Sequence, residues 1–403
     1  MEPVDPVHLA DLAITPHLAE KTVTFSCGIS GREPDLTYRV VVRDGTATVA
    51  RGETRADKKL TLSIPQPKPW TPDRPFLYDA EIVVLQNGKP VDRVETYFGM
   101  RDIGIETIDG VPKIVLNGRF VFQMGPLDQG FWPDGLHTPP SDEAMRWDIE
   151  GIKDFGFNMI RKHIKVEPRR WYYWCDKLGV LVWQDMPGTF GEREYDDRVQ
   201  FELELERMIR THGNHPSIIM WVVFNEHWGL YDPYRMTRKV MDLDPTRLVN
   251  TNSGFTAGKR KVDYQAGHVR DIHHYRPPGP VAVIDDRAAV LGEYGAIGYL
   301  AEGHVWDADG PWVHFNYENL EKATAEYEAF ITQLLEYKRQ GLSAAVYTQW
   351  TDVENEMNGL YTYDRKVRKL DRDRVRRANL STYRDDCSDD PAALPSLRAD
   401  DRR

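Results

Sequence analysis

Two glutamates stand out because each follows a run of apolar residues. The stretch 218–229 reads IIMWVVFNEHWG, so seven apolar residues precede Asn225 and Glu226. A second run, AVLGEY at 289–294, places Glu293 beside Tyr294. Cleavage of a glycosidic bond needs two carboxyl groups, one that gives a proton to the leaving oxygen and one that is ionised and attacks the sugar carbon. Glu226 and Glu293 are therefore the candidate catalytic pair.

The neighbours of the two glutamates fit this chemistry. Glu226 ends an apolar strand, where partial burial favours the protonated form that an acid needs. The hydroxyl of Tyr294 is expected to hydrogen-bond Glu293 and keep it ionised. The amide of Asn225 can bond a sugar hydroxyl next to the reacting carbon.

The elements that must position these residues begin after Gly99, where short apolar runs alternate with amphipathic stretches. Glycines follow the four clearest helical stretches, as helix ends require. The predicted strands cover 120–125, 158–163, 180–185, 218–225, 247–252, 271–275, 289–294 and 344–350, and the predicted helices include 142–156, 167–179, 197–213 and 319–341. Eight strands alternating with helices predict an α/β fold with a (β/α)8 TIM barrel. An open doubly wound sheet is less favoured, because no GxGxxG or P-loop follows the first strand.

The ends of the chain have a different character. Residues 1–98 read as short strands with turn signals, such as Asn87-Gly88, and predict a small β-sandwich. The barrel is expected over 99–365. Residues 366–403 are polar and predict a C-terminal tail, with a short helix or coil before a disordered end.

In such a barrel the catalytic groups lie at the carboxyl ends of the strands. His273 and His274 face opposite sides of their strand, so at most one lines the pocket, and we favour His274. Arg161 either positions the nucleophile or a sugar hydroxyl, or forms a structural salt bridge with Asp185. The candidate substrate-binding residues at these ends are Asp128, Arg161, His163, Asp185, Asn225, His274, Tyr294 and Trp350.

Composition excludes several classes of function. The net charge of −11, without a Lys/Arg stripe before the tail, argues against nucleic acid as a partner. No signal sequence and no apolar run of membrane-spanning length occurs, which indicates a soluble, cytoplasmic protein without a membrane partner. The three cysteines are scattered and no HxH motif occurs, so we expect no disulfide framework, no metal and no cofactor. The acidic run Asp352, Glu354 and Glu356 is expected to bond loop backbone rather than a cation.

Several longer stretches, in this order and spacing, are similar to glycoside hydrolase family 2, the family of β-galactosidases, β-glucuronidases and β-mannosidases. They are LNGRFVFQMG (116–125), GFNMIRKH (156–163), LGVLVWQDMP (178–187), HPSIIMWVVFNE (215–226), LGEYG (291–295) and YTQWTDVENEMNGLYTYDR (347–365). The resemblance implies a retaining exo-β-glycosidase in which Glu226 is the acid/base and Glu293 the nucleophile. It also implies that Trp350 is a sugar platform at the end of the eighth strand. The β-sandwich at 1–98, which runs into YFGMRDI (97–103), resembles the immunoglobulin-like domain of the family.

The chain departs from the family pattern in two respects. Members usually carry a further sugar-binding β-sandwich at the N-terminal side, and this sequence begins too late to contain it. The Asn-x-Lys pattern that glucuronidases use for the sugar carboxylate does not occur between Glu293 and Trp350. The second departure favours a neutral sugar, such as a β-galactoside. The first departure, the missing N-terminal β-sandwich, leaves open the alternative that the barrel is non-catalytic and binds carbohydrate or serves as a scaffold. A homo-oligomer is also possible if apolar surface is exposed.

Overall fold

The computed structural model describes residues 4–31, 35–258, 260–307, 309–310 and 315–387. The N-terminal part is a sandwich of two antiparallel sheets, in strand orders β1-β2-β5 and β4-β3-β6-β7. Its core contains Phe25, Tyr38 and Phe98, which confirms the predicted β-sandwich. The strands are β1 (His8–His17), β2 (Thr22–Ser30), β3 (Leu36–Asp44), β4 (Ala47–Arg55), β5 (Leu60–Ser63), β6 (Tyr78–Gln86) and β7 (Lys89–Phe98).

A small antiparallel sheet connects the sandwich to the barrel. It comprises β8 (Ile103–Ile108), β9 (Val111–Leu116) and β10 (Arg119–Phe120). Ile114 and Leu116 pack in one apolar cluster with barrel residues such as Leu181. The sheet therefore covers part of the barrel interior.

The main body is a parallel sheet of eight strands whose edges, β15 and β16, contact each other and nearly close it. The predicted TIM barrel is confirmed. Its strands are β11 (Gln123–Asp128), β12 (Met159–Lys162), β13 (Leu181–Asp185), β14 (Ile218–Asn225), β15 (Leu248–Ser253), β16 (Val269–His273), β17 (Ala288–Gly295) and β20 (Leu342–Thr348), and a short pair, β18 (Ile297–Gly298) and β19 (Phe315–Asn316), lies beside them. The first barrel strand begins three residues later than predicted, because Phe120 pairs with β9 instead.

Within the described residues, six helices pack around the barrel: α1 (Asp142–Asp154), α2 (Arg169–Leu178), α3 (Tyr195–His212), α4 (Pro233–Leu243), α5 (Leu320–Arg339) and α6 (Arg372–Cys387). Side-chain caps begin two of them, since Ser141 accepts from the N–H of Ala144 and Asn319 from that of Lys322. No helix in the described ranges is both long and apolar enough to cross a bilayer.

A short helix is one of the two alternatives expected after residue 366, and the structure has one there, α6, at residues 372–387. Helix α6 packs against α5, and Asn379 accepts a hydrogen bond from the Tyr327 hydroxyl at 2.6 Å and donates one to the carbonyl of Phe155. Tyr383 donates to the carbonyl of Gly156. The packing of this helix against the barrel was not predicted, because its buried face is narrow and partly polar. Residues 388–403, where a disordered end was expected, lie outside the described residues.

Candidate active site

Arg161 on β12 is the centre of a buried polar network inside the barrel. Its guanidinium donates to Asp185 at 2.9 Å, to the Asn225 side-chain oxygen at 2.8 Å and to Glu293 at 3.1 Å. Burial lowers the pKa of Arg161, but Asp185 and Glu293 outweigh burial and raise the pKa above its usual value. A salt bridge with Asp185 and positioning of Glu293 were given as alternatives for Arg161. The structure shows both, because one guanidinium bonds both carboxylates.

Glu293 on β17 is buried and surrounded by donors. Besides Arg161, the hydroxyl of Tyr275 donates a short hydrogen bond to Oε2, and Nδ1 of His273 lies 3.5 Å from the same oxygen. Burial raises the pKa of Glu293, yet the charges of His273 and Arg161 hold this pKa below its usual value. The carboxylate is therefore ionised near neutral pH, as a nucleophile must be.

Glu226 follows β14 in a tight turn. Its φ of 48° and the φ of 66° at His227 lie in the left-handed region, and the Glu226 N–H bonds the carbonyl of Ser253 at 2.8 Å. The carboxyl group is 20% exposed, and Oε1 lies 2.6 Å from Nδ1 of His273. The other oxygen, Oε2, has no hydrogen bond within the described structure to compete with a substrate there.

The two glutamates face each other across the barrel mouth. Ligand atoms of Glu226, His273 and Glu293 all lie within 4.8 Å of one another. Retaining glycosidases have their two carboxyl groups about 5 Å apart, whereas inverting enzymes need a wider gap for a water molecule. This spacing also occurs in metal sites, but a hydrogen-bonded cluster produces it without an ion, and we assign no metal to these residues.

The remaining polar residues of the network support the pair. His163 Nδ1 lies 3.0 Å from Asp185 Oδ2, and although burial raises the pKa of Asp185, Arg161 and His163 hold it below its usual value. Asn225 is buried, and its Nδ2 has no hydrogen-bond partner among the described residues. A buried, unpaired amide donor at the mouth can bond a substrate oxygen.

An aromatic pair lies beside His163 at the mouth. Trp228, two residues after Glu226, meets the His163 ring edge-on at a centroid distance of 6.2 Å. Phe190 packs on Trp228 at 4.4 Å and is 82% exposed. Because Trp228 follows Glu226 by only two residues, this aromatic pair adjoins the turn that carries Glu226.

Three sequence predictions about side-chain placement are wrong. The His274 side chain is exposed and bonds the carbonyl of Pro277, so His273 is the member of the pair that faces the glutamates. The Tyr294 hydroxyl points to the sulfur of Met124 and does not bond Glu293. Trp350 is fully buried, donates to Asp148 at 3.0 Å and packs against Phe155, so it offers no sugar platform.

The side chain of Asp128, another predicted substrate-binding residue, bonds neighbouring protein groups and neither of the two glutamates. Its carboxylate bonds the ammonium of Lys162 and, at 2.8 Å, the N–H of Gly130. Asp352, in the acidic run, bonds Lys369 and the N–H of Gly359 at 2.7 Å, as a loop-stabilising residue does.

Sequence reasoning missed Tyr275 as a partner of Glu293. The signal was present, since Tyr275 directly follows the polar end of β16, where a barrel presents functional groups. His273 was considered and set aside for His274.

The geometry can be compared with known proteins. The model of "Glycosyl hydrolases family 2" matches residues 7–101, and that of the "TIM barrel domain" of the same family matches residues 140–276. Together the two matches cover more than half of the chain. The chain belongs to glycosyl hydrolase family 2.

Curated relatives carry two kinds of name. A beta-glucuronidase of Bacteroides fragilis is 25% identical, covering 90% of this chain and 57% of the relative. A putative beta-glucuronidase of Formosa agariphila is 29% identical over 62% of this chain and 25% of the relative. A beta-galactosidase of Lactococcus lactis is 29% identical over 50% of this chain and 21% of the relative. The chain thus spans at most about three fifths of these relatives.

Solved structures show the same fold. A family 2 beta-galacturonidase from Eisenbergiella tayi, bound to galacturonate, superposes with a TM-score of 0.74 at 20% identity, covering 94% of this chain and 73% of that one. A beta-D-glucuronidase of Dictyoglomus thermophilum gives a TM-score of 0.71 at 20% identity, covering 92% and 68%. At this identity the likeness concerns the fold.

Replacing Arg161 by methionine is expected to destabilise the protein by about 3–5 kcal/mol, because Asp185 and Glu293 are then buried without their cation. The control is Arg39→Met, which breaks an ion pair with Glu53 whose two side chains are each 45% exposed and is expected to cost less than about 1 kcal/mol. Urea unfolding followed by tryptophan fluorescence measures both. Equal midpoints for the two variants would mean that Arg161 does not hold the network together.

Proposed function

We propose that the chain is a retaining exo-β-glycosidase that removes terminal sugar residues, with Glu226 as acid/base and Glu293 as nucleophile. The observation that carries the proposal is that one oxygen of each carboxyl group lies within 4.8 Å of an oxygen of the other, at the carboxyl ends of two barrel strands. Their environments differ as the two roles require. Glu293 is enclosed by donors, while Glu226 is partly exposed at the entrance.

The first step forms a covalent glycosyl-enzyme. The Glu293 carboxylate attacks the anomeric carbon, the bond to the leaving oxygen breaks, and that oxygen takes the proton of Glu226. Arg161 and Tyr275 hold the Glu293 carboxylate in place for the attack. In the second step Glu226 removes a proton from water, and the water oxygen displaces Glu293. Two displacements leave the sugar in its original β configuration.

Substrate recognition is assigned to groups near the pair. The free Nδ2 of Asn225 donates to a sugar hydroxyl beside the anomeric carbon. The exposed ring of Phe190, packed on Trp228, offers an apolar face to the leaving group, since this aromatic pair adjoins the turn that carries Glu226.

The charge at the mouth supports a neutral sugar. Burial raises the pKa of Tyr275, and the charges of Glu293, Glu226 and Glu356 raise it further, so Glu356 is a third carboxylate whose charge acts on the Tyr275 hydroxyl. Glu356 accepts from Gln129 at 3.2 Å and from Asn358 at 3.0 Å, so its partners in the described part of the chain are amides. A uronate carboxylate entering this mouth meets repulsion, so we favour a β-galactoside or another neutral glycoside over the uronides named among the relatives.

Hydrolysis of a nitrophenyl glycoside panel tests the proposal. The panel holds β-galactoside, β-glucoside, β-mannoside, β-galactofuranoside, α-L-arabinofuranoside, β-glucuronide and β-galacturonide. We expect one neutral glycoside to exceed both uronides by at least about tenfold in kcat/KM, a difference of about 1.4 kcal/mol in transition-state binding. A uronide as the best substrate would overturn the neutral-sugar assignment. No hydrolysis of any member by folded protein would favour a carbohydrate-binding role.

A further inference from the structure

His273 occupies an unusual place between the two proposed catalytic glutamates. Its Nδ1 lies 2.6 Å from Oε1 of Glu226 and 3.5 Å from Oε2 of Glu293, and the side chain is 1% exposed. One ring nitrogen thus faces both carboxyl groups. The role proposed for it below rests on the proposed function.

The other ring nitrogen is held by a chain of hydrogen bonds. Nε2 lies 2.9 Å from Oγ of Ser253, and that hydroxyl donates its proton to Oδ2 of Asp271 at 2.6 Å. Asp271 also accepts from Asn250 at 2.7 Å and from the N–H of Gly292 at 2.8 Å, so its carboxylate is an acceptor on both oxygens. Since the only proton of Ser253 is directed to Asp271, its oxygen accepts from His273, which fixes a proton on Nε2.

The backbone is shaped around this ring. A Cβ at Gly254, where φ is 71°, would lie 2.3 Å from Nδ1 of His273. A Cβ at Gly292 would lie 2.2 Å from Asp271. Thr256 additionally bonds the carbonyl of His273 at 3.0 Å. Glycine at both positions lets the ring and the carboxylate pack closely against the chain, so the ring is held in one orientation.

The first catalytic step moves one negative charge past this ring. Before it, Glu293 is ionised and Glu226 holds a proton. After it, Glu293 is a neutral ester and Glu226, having given its proton to the leaving oxygen, is ionised. The two glutamates carry one negative charge in total before and after the step. This charge is on Glu293 before the step and on Glu226 after it, on the other side of Nδ1.

We propose that His273 is a positioning residue that stays protonated. Its Nδ1–H remains bonded to Glu226 and faces Glu293, so its positive charge lies beside whichever of the two glutamates is ionised. The bond to Oε1 of Glu226 leaves Oε2 for the leaving oxygen and, later, for water. Ser253 and Asp271 keep the ring in its orientation and supply the negative charge behind it. His273 itself neither gives nor takes a proton.

The charges around the ring favour its protonated form. Burial lowers the pKa of His273, but Glu293 and Asp271, with the bond to Glu226, raise the pKa above its usual value. Arg161, on β12, opposes this, and its Nη1 lies 3.4 Å from Nε2. The facing groups are therefore Arg161, Glu226, Asp271 and Glu293, of which three can be negative.

Nitrogen NMR of protein labelled with ¹⁵N-histidine reads the ring directly and does not depend on turnover. The His273 signals are those lost in His273→Gln. We expect both nitrogens to be protonated at pH 7, and the titration midpoint to fall in Ser253→Ala and further in Asp271→Asn. Ser343→Ala is the control, because Ser343 is equally buried, and its hydroxyl has no hydrogen-bond partner among the described residues. A neutral ring at pH 6, or a midpoint that none of the variants moves, would overturn the proposal.

Kinetics give a second readout on whichever panel glycoside is hydrolysed. Ser253→Ala is expected to lower kcat/KM by about tenfold, the size of one hydrogen bond to a charged group, and to move the basic limb of its pH profile to lower pH. The shift is to lower pH because a His273 ring that loses its proton more easily makes the enzyme inactive at a lower pH. If Ser253→Ala turns over normally and its pH profile of kcat/KM is the same as that of the wild type, the proposed role of His273 is contradicted. Absence of turnover in the wild type would instead contradict the proposed function, and the NMR result would still decide the state of the ring.

Discussion

Replacing Glu293 by alanine is expected to lower kcat by about 10⁴- to 10⁶-fold on the panel glycoside that the wild type hydrolyses best. The reason is that the attacking atom is gone, and removal of a covalent nucleophile is among the largest single losses that enzymes show. The variant remains folded, because Arg161 keeps its bonds to Asp185, Asn225 and the carbonyl of Gly292. Initial rates, together with circular dichroism and Tm, measure both effects.

The matched control for this loss is Glu293→Gln, which keeps the volume and the acceptor oxygen for Arg161 but removes the charge. It is expected to be as inactive as the alanine variant within about tenfold. Glu354→Gln changes an exposed glutamate in the loop after β20 and is expected to leave kcat unchanged. Turnover of Glu293→Ala at the wild-type rate would mean that another group attacks the sugar.

Replacing Glu226 by alanine is expected to give a loss that depends on the leaving group. An alkyl glycoside needs a proton on its leaving oxygen, so its kcat/KM falls by about 10²- to 10⁴-fold, the range for one general acid. The dinitrophenolate of a dinitrophenyl glycoside leaves without needing a proton, so the first step is nearly unaffected. The second step is slowed, so the glycosyl-enzyme accumulates, and this is observed as an initial burst of dinitrophenolate.

Azide supplies the second half of this test. A small anion needs no general base, and the cavity left by the Glu226 side chain admits it next to the anomeric carbon. We expect added azide to restore turnover of the dinitrophenyl glycoside and to yield a β-glycosyl azide. Equal losses for the alkyl and dinitrophenyl substrates, with no effect of azide, would remove Glu226 from the role of acid/base.

Much of the site could be predicted because it lies at strand ends. The apolar run before Asn225 and the alternation of Arg161 with His163 identify inward-facing residues without structural knowledge. The structure joins these residues to Asp185 and Glu293 in one network. A regular strand has a period of two, so its facing residues follow from the sequence.

The errors occur where the strands are irregular. The pairing of β16 with β17 shifts between Ile272 and His273, and that of β17 with β20 shifts between Leu291 and Tyr294. A one-residue shift reverses which side chains face inward. This is why His273 and not His274 meets the glutamates, and why Tyr294 turns into the packing around the barrel while Tyr275 bonds Glu293.

Trp350 shows a different limit. Its place after the eighth strand was identified correctly, but the direction of its ring depends on Asp148 of α1 and on Phe155, about 200 residues away in sequence. Such a distant hydrogen-bond partner has no local signal in the chain. The same holds for α6, whose buried residues acquire their partners from α5 and from the end of α1.

The central claim is a reaction by two displacements at Glu226 and Glu293, which have one oxygen of each carboxyl group within 4.8 Å of the other. The configuration of the first product tests this claim most directly. Proton NMR recorded in the first minutes of hydrolysis, before mutarotation, distinguishes the anomers of the released sugar. We expect the β-anomer of the sugar to appear first from a β-glycoside and the α-anomer only later. Initial release of the α-anomer would mean a single displacement by water and would contradict the assignment of Glu293 as nucleophile.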